Sequence, residues 1–265
     1  DTEPLAADTP TALAGSEHLL ERGLAALELL TDGPVYLCQP PGSALALERG
    51  RLHVARFSGA HPAGLPGTHI EHLHPVTHAR SVWQIHAQEV VALGHLLQTG
   101  TLPASRVIAI SGPGLEDPRL LRVPAGASLA ALAEGEMRKG NWHIVSGSPL
   151  SGRSQSFLGR HHWQITALPD RPAPPPRRRS LWPADHREAR PEAVIPTRAL
   201  DLALGPAIPA IPLIRALSSG DAETADRLGC RSLLEEDVAL LDYAAGGRTG
   251  LTQALRRILD TLEAA

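Results

Sequence analysis

Cysteine is nearly missing from this chain: 265 residues hold two, Cys38 and Cys230, and they form no CxxC pair. That spacing excludes an iron–sulfur cluster or a Cys-type zinc site, and two distant thiols do not make a secreted disulfide scaffold. Aromatic side chains amount to 3%, so the cores must be built from Leu, Ala, Val and Ile. Lysine occurs once, at Lys139, while arginine is frequent, a usage that fits a GC-rich genome better than a function. Basic charge is not in excess either. A net charge of −3 argues against a nucleic-acid binder, which normally presents a basic face. No apolar run reaches 18 residues and no basic n-region precedes a short apolar one, so the reading is a cytosolic, soluble chain that can still dock on a membrane complex.

What is present is globular. Hydrophobic residues make up 43% and charged residues 20%, over a length that suits one large domain or two to three small ones. Asp1-Thr2-Glu3-Pro4 is not an initiator sequence, so the expectation is a fragment, a processed product or a trimmed chain.

The densest stretch is His61-Pro62-Ala63-Gly64-Leu65-Pro66-Gly67-Thr68-His69-Ile70-Glu71-His72-Leu73-His74-Pro75-Val76. Its prolines and glycines predict a non-repetitive backbone path. Four histidines and a carboxylate fall within fourteen residues, a concentration of titratable and metal-capable groups. The segment reads as either a metal site or an ordered junction between folded units.

Around it the hydrophobic periodicity predicts an orderly series. Glu17 to Leu30 is an amphipathic helix with Ser16 as N-cap, followed by strands at Val35–Cys38 and Leu52–Phe57. A helix spans Val82 to Leu97, closed by Gly100. Strands at 106–112, 120–123, 142–147 and 162–168, with a helix from Ser128 to about Glu134 between the second and third, predict a β-grasp-like unit. Residues 169–196 hold eight of the 24 prolines and read as linker, with Arg177-Arg178-Arg179 as solvated charge. Helices at 210–217, 221–228 (capped by Asp221 and ended by Gly229), 233–241 and 251–262 make a C-terminal helical domain. The expected organisation is therefore α/β and α+β. Residues 1–60 are the remainder of a Rossmann-like domain, 61–105 a junction and helix, 106–168 the β-grasp-like domain, 169–196 the linker and 197–265 the helical domain.

Few residues offer chemistry. A zinc site would recruit His69, His72 and His74 with Glu71 or His61, but spacings of two and three suit neither one helical face nor a familiar zinc motif. A nucleotide site would use Gly112-Pro113-Gly114 or Ser146-Gly147-Ser148. Neither is a GxGxxG or a P-loop, and Pro113 removes an N–H that a phosphate would need. Ser146 and Ser148 lack the GxSxG elbow of a serine hydrolase. Glu235-Glu236-Asp237 fit the acidic first turn of a helix. No residue asserts itself as catalytic.

The junction segment, followed by Val82-Trp83-Gln84-Ile85 and Glu89-Val90-Val91-Ala92-Leu93-Gly94, resembles the NqrA family of the sodium-translocating NADH:quinone oxidoreductases, the NQR complexes. Arg106 to Pro113, Asp117 to Arg122, Gly126-Ala127-Ser128-Leu129, Val145 to Gly152 and Leu158 to His162 continue the resemblance in order. Leu213 to Asp221, Leu228-Gly229-Cys230 and Leu234 to Leu240 complete it over nearly the whole chain.

The resemblance implies a fold similar to the flavin subunit of respiratory complex I, with a Rossmann-like domain, a β-grasp (SLBB-like) unit and a helical domain. It implies a peripheral subunit, not itself catalytic, on the cytoplasmic face of the bacterial inner membrane. Such a subunit contacts the membrane subunit NqrB near the quinone site. No cofactor is expected in this chain; FMN, riboflavin and iron centres belong to partner subunits, and ubiquinone is the substrate of the complex. His61, Gly64, Gly67 and His69 become the candidate junction and quinone-proximal residues. Relative to the family, the N-terminal portion with its lipoyl-like segment is expected to be absent, and 169–196 is shorter. Two other readings stay open: a stand-alone metal-binding protein using the histidines, and a subunit of an Rnf-type electron-transfer complex, whose cluster cysteines this chain lacks.

Overall fold

The computed structural model describes residues 2–170, 194–247 and 249–264. Most of the proline-rich linker expected at 169–196 therefore lies outside the described residues. Three hydrophobic cores organise the rest, one for each stretch of distinct texture.

The first core gathers Leu13, Leu20, Leu24, Leu37, Leu52 and Val90. A short helix α1 (Thr9–Leu13), capped by Asp8, precedes α2 (Glu17–Leu30). Strands β1 (Val35–Gln39) and β2 (Leu52–Arg56) pair in parallel, with Tyr36 opposite His53. The predicted Ser16 cap is not made; Glu17 instead accepts the Gly15 N–H at 3.0 Å.

The histidine segment differs from its expected irregular path. Pro66 fixes φ for a first helical position, and α3 (Pro66–Leu73) follows for eight residues. After it the chain stays irregular through Ile85, and α4 (Ala87–Thr99) begins five residues later than the periodicity predicts. The reason is local. His86 accepts the Gln88 N–H at 3.3 Å and starts the helix, while Ile85, counted on the helical stripe, is exposed. Gly100 ends the helix in the left-handed region, as expected.

Helices α2 and α4 cross at two glycines. A Cβ on Gly23 would stand 2.7 Å from Val90 Cγ1, and one on Gly94 would stand 2.8 Å from the Leu19 carbonyl carbon. The backbones approach as closely as they do because each contact sets a glycine of one helix against the backbone of the other, Gly23 against Val90 and Gly94 against Leu19.

The second core, around Ile108, Ile110, Val123, Leu129 and Ile165, lies under a four-stranded sheet. Its strands are β3 (Ser105–Ser111), β4 (Arg119–Pro124), β5 (Trp142–Ser146) and β6 (Gln164–Pro169), with α5 (Leu129–Ala133) between β4 and β5. The order is β4-β3-β6-β5, with β3 and β6 parallel at the centre and antiparallel partners outside. That is the strand order a ββαββ grasp requires. β6 starts two residues later than expected, although the Trp163 carbonyl just ahead of it still accepts the Ala109 N–H of β3 at 3.0 Å.

The third core belongs to the C-terminal helices: α6 (Arg198–Leu204), α7 (Ala210–Ser219), α8 (Ala222–Arg227), α9 (Ala239–Ala244) and α10 (Leu251–Glu263). Leu213, Leu241, Leu251 and Leu255 fill its centre. Asp221 caps α8 as expected, accepting the Thr224 N–H at 3.0 Å. The single helix predicted over 233–241 divides instead into a 3-10 turn at Glu235–Val238 and α9. The Asp237 carboxylate takes the Leu234 N–H at 2.7 Å and bends the chain there.

Candidate functional site

Segment 61–76 joins the α/β unit to both neighbours. His61 donates from Nδ1 to Thr2 O at 3.0 Å, and Thr2 Oγ1 accepts the Gly64 N–H at 3.0 Å. The same N-terminal strap reaches the four-stranded sheet: Ser151 Oγ donates to Glu3 Oε1 and Gln164 Nε2 donates to Pro4 O, each at 3.1 Å. Gly67 faces the other way. Its N–H donates to Asp237 Oδ1 at 3.2 Å, linking the start of α3 to the turn before α9. Farther along, the Val76 N–H donates to Ser232 Oγ at 3.2 Å.

His69 turns to a different side of this junction. Burial pushes its pKa down, so the ring is neutral near pH 7 and donates from Nε2 to Ala63 O at 2.9 Å. It lies 4.2 Å, centroid to centroid, from Phe57, and His72 meets the same ring edge-on at 6.1 Å. Tyr36 continues the row, with His53 at 5.6 Å and His74 at 6.3 Å. In a chain so poor in aromatics, six rings line the β1–β2 ribbon and α3. His69 and His72 each spend a ring nitrogen on a backbone carbonyl. Among the described residues, no three His, Cys, Asp or Glu side chains converge where they could hold a metal ion.

A second junction ties α4 to the sheet. Gln88 bonds both backbone groups of Val107, donating at 2.8 Å and accepting at 3.2 Å. His86 stacks on Trp163 at 4.3 Å, and the Arg106 guanidinium covers that ring at 4.9 Å. Burial first, with the charge of Arg106 adding to it, pushes the His86 pKa down to about 4, so it is an uncharged cap at physiological pH.

Ser146 does find a histidine. Its Oγ lies 2.6 Å from His162 Nδ1 and accepts the Gly159 N–H at 2.9 Å. The geometry resembles a nucleophile and base, but Ser146 is 0% exposed and no substrate carbon reaches it. The pair fastens the loop between β5 and β6. Ser146→Ala should cost about 1–3 kcal/mol, the range for leaving buried partners unsatisfied, as read by thermal unfolding. A fluorophosphonate probe should leave the wild-type chain unlabelled; a covalent adduct on Ser146 would overturn this assignment.

Known sequences bear on the whole chain. The profile described as the NqrA second alpha/beta domain matches residues 1–102, and that of the NQRA C-terminal domain, of SLBB type, matches 107–156. The A subunit of the Na(+)-translocating NADH-quinone reductase of Klebsiella pneumoniae strain 342 is 36% identical over 99% of this chain. Its counterparts in Shewanella amazonensis and Cellvibrio japonicus are 36% and 34% identical over the same share. This chain belongs to the NqrA family. It spans 65% of the length of these relatives. All three are subunits of Na(+)-translocating reductases, so neither an Rnf-type relative nor a stand-alone metal protein is supported.

Within this NqrA-family chain, the four sequence-derived candidates do not converge on one pocket. His61 and Gly64 meet the N-terminal strap, Gly67 meets the helical unit, and His69 joins the ring face. The residue that sequence reasoning missed is Asp237, which it assigned to a helix's acidic first turn. The signal available was the pairing of a glycine after Pro66 with an acid after two others, but nothing local connects positions 170 apart. Cys230 is buried and Cys38 half-buried, and loss of hydration pushes each thiol up to about 11, which makes them poor nucleophiles.

Proposed function

We propose that this chain serves as a peripheral, non-catalytic subunit of a sodium-pumping NADH:quinone reductase, contacting the membrane subunit NqrB near the quinone site on the cytoplasmic face of the bacterial inner membrane. The observation that carries the proposal is identity of 34–36% sustained over 99% of the chain. In this reading, FMN, riboflavin and iron centres reside in partner subunits and ubiquinone is the substrate of the complex. The chain contributes shape: a Rossmann-like remainder, a β-grasp-like domain and a helical domain, arranged as in the flavin subunit of complex I. His61, Gly64 and Gly67 hold the junction, and His69 with Phe57 supplies the planar, uncharged surface beside it.

Such a protein needs a docking feature, because no helix among the described residues is long and apolar enough to cross a membrane. Trp83, 96% exposed on the irregular segment after Arg80, supplies one. Tryptophan in such a setting is a common anchor of protein interfaces. The tagged chain should co-purify integral membrane subunits from native membranes, and Trp83→Ala should reduce their yield at least several-fold without altering the melting temperature. Recovery of the tagged chain alone, from membranes that retain reductase activity, would overturn the assignment.

A further inference from the structure

Asp237 is a carboxyl group that two separate units of the protein share. It is 2% exposed, accepts the Leu234 N–H within its own turn and accepts the Gly67 N–H from the start of α3. Gly67 packs so tightly on it that a Cβ would fall 2.5 Å from Asp237 Cγ. We propose that closing the contact between α3 and the C-terminal helical unit takes up one proton on the Asp237 carboxyl, making this junction a proton-linked clasp.

The surroundings lack a countercharge. Glu236, next in the turn, and Glu3, on the N-terminal strap, both repel a negative Asp237. On α10, which packs against this turn, Arg256 is engaged by Glu235, and Arg257 is exposed. Arg231, in the turn after α8, is held by Asp226. On α3, His69 is bound to Ala63 O and His72 to Thr68 O, while Glu71 lies against Gly229. On α9, Asp242 is bound to Thr249; α6 carries Arg198 and Asp201. Among the described residues, no cation hydrogen-bonds or pairs with Asp237. Two N–H donors favour the ion, but loss of hydration outweighs them, and the carboxyl is pushed up to about 7.

The direction follows from linkage. With the contact open, the carboxyl is hydrated and titrates in the ordinary carboxylate range near about 4. Closure therefore favours the protonated form. Its stabilisation is fully present below the ordinary value and is lost as pH rises through about 7. Above neutrality the ionised carboxylate faces the repulsion of Glu236 and Glu3, and the helical unit loosens from α3.

Carboxyl 13C NMR of the Asp-labelled chain tests this. One aspartate should titrate near neutrality, and its resonance should vanish in Asp237→Asn. Amide protection of Gly67 and Leu234, corrected for intrinsic exchange, should fall as pH rises from about 4 towards that titration's midpoint and level off above it. Glu236→Gln, which removes a repelling charge, should move that midpoint down by a few tenths of a unit or more. An Asp237 resonance that titrates near the ordinary carboxylate value, or Gly67 protection that stays constant between about pH 4 and 7, would overturn the clasp. If Asp237→Asn does not fold, the Glu236→Gln displacement alone decides: no movement of midpoint means no coupling.

Discussion

Gly94→Ala, a change of one methyl group, should destabilise the N-terminal α/β unit by about 2 kcal/mol. Alanine normally strengthens a helix interior by about 1 kcal/mol over glycine. Here the added Cβ would stand against the backbone of Leu19 on α2, with its carbonyl carbon 2.8 Å away. A flexible side chain could swing aside; a backbone carbonyl held in the first turn of α2 cannot. The helices must separate, which loosens Leu20, Leu24 and Val90 from their shared core. Overpacking of this kind typically costs about 1–3 kcal/mol, at the upper end when backbone must shift. Chemical denaturation followed by far-ultraviolet dichroism reads the loss. Gln98→Ala, exposed on the same helix, should stay within about 0.5 kcal/mol. If Gly94→Ala raises stability instead, helix propensity outweighs the steric conflict and the crossing is looser than its backbone contacts require.

That crossing illustrates which parts of the structure are readable from residue order. Helix α2, the six strands and α10 follow from apolar spacing, because one buried face per element leaves a period in the sequence. The strand-strand-helix-strand-strand series already contains the β4-β3-β6-β5 sheet, given a parallel central pair. Short helices such as α1 and α6 leave no period long enough to notice, and neither was expected. Boundaries fail where a side chain rather than a pattern decides: His86 starts α4, and Asp237 breaks the predicted 233–241 helix. Glycines 23 and 94 look like weak points in otherwise good helices until their partner helix is placed beside them.

The candidate site divides along the same line. The histidine segment was legible as a junction, since its spacing fits no metal geometry. Its helical middle was not, because proline and glycine were read as breakers when Pro66 sits at a first helical position, where its missing N–H costs nothing. What each candidate touches depends on contacts made across long stretches of chain. His61 and Gly64 meet Thr2, and Gly67 meets a carboxyl in the last third.

Gly67→Ala is expected to separate the helical unit from α3, and the pairing with Asp237 makes the cause testable. The new Cβ would collide with a carboxylate that the Leu234 N–H already pins at 2.7 Å. Either the carboxylate moves and leaves two buried N–H groups without acceptors, or α3 withdraws. Each lost buried bond costs about 1–3 kcal/mol, so a total of several kcal/mol at this contact is expected. Hydrogen exchange should rise in α3 and in the turn Glu235–Val238, while the strands β3 and β6 stay protected. Removing the obstacle tests the mechanism. In an Asp237→Ala background the carboxylate is gone, so Gly67→Ala should cost less than in the wild type by about 1 kcal/mol or more, a non-additivity of the size contacting residues show. Additive losses in the two single variants would mean that Gly67 is needed for the backbone of α3 alone. The steric lock between α3 and the helical unit would then have to be abandoned.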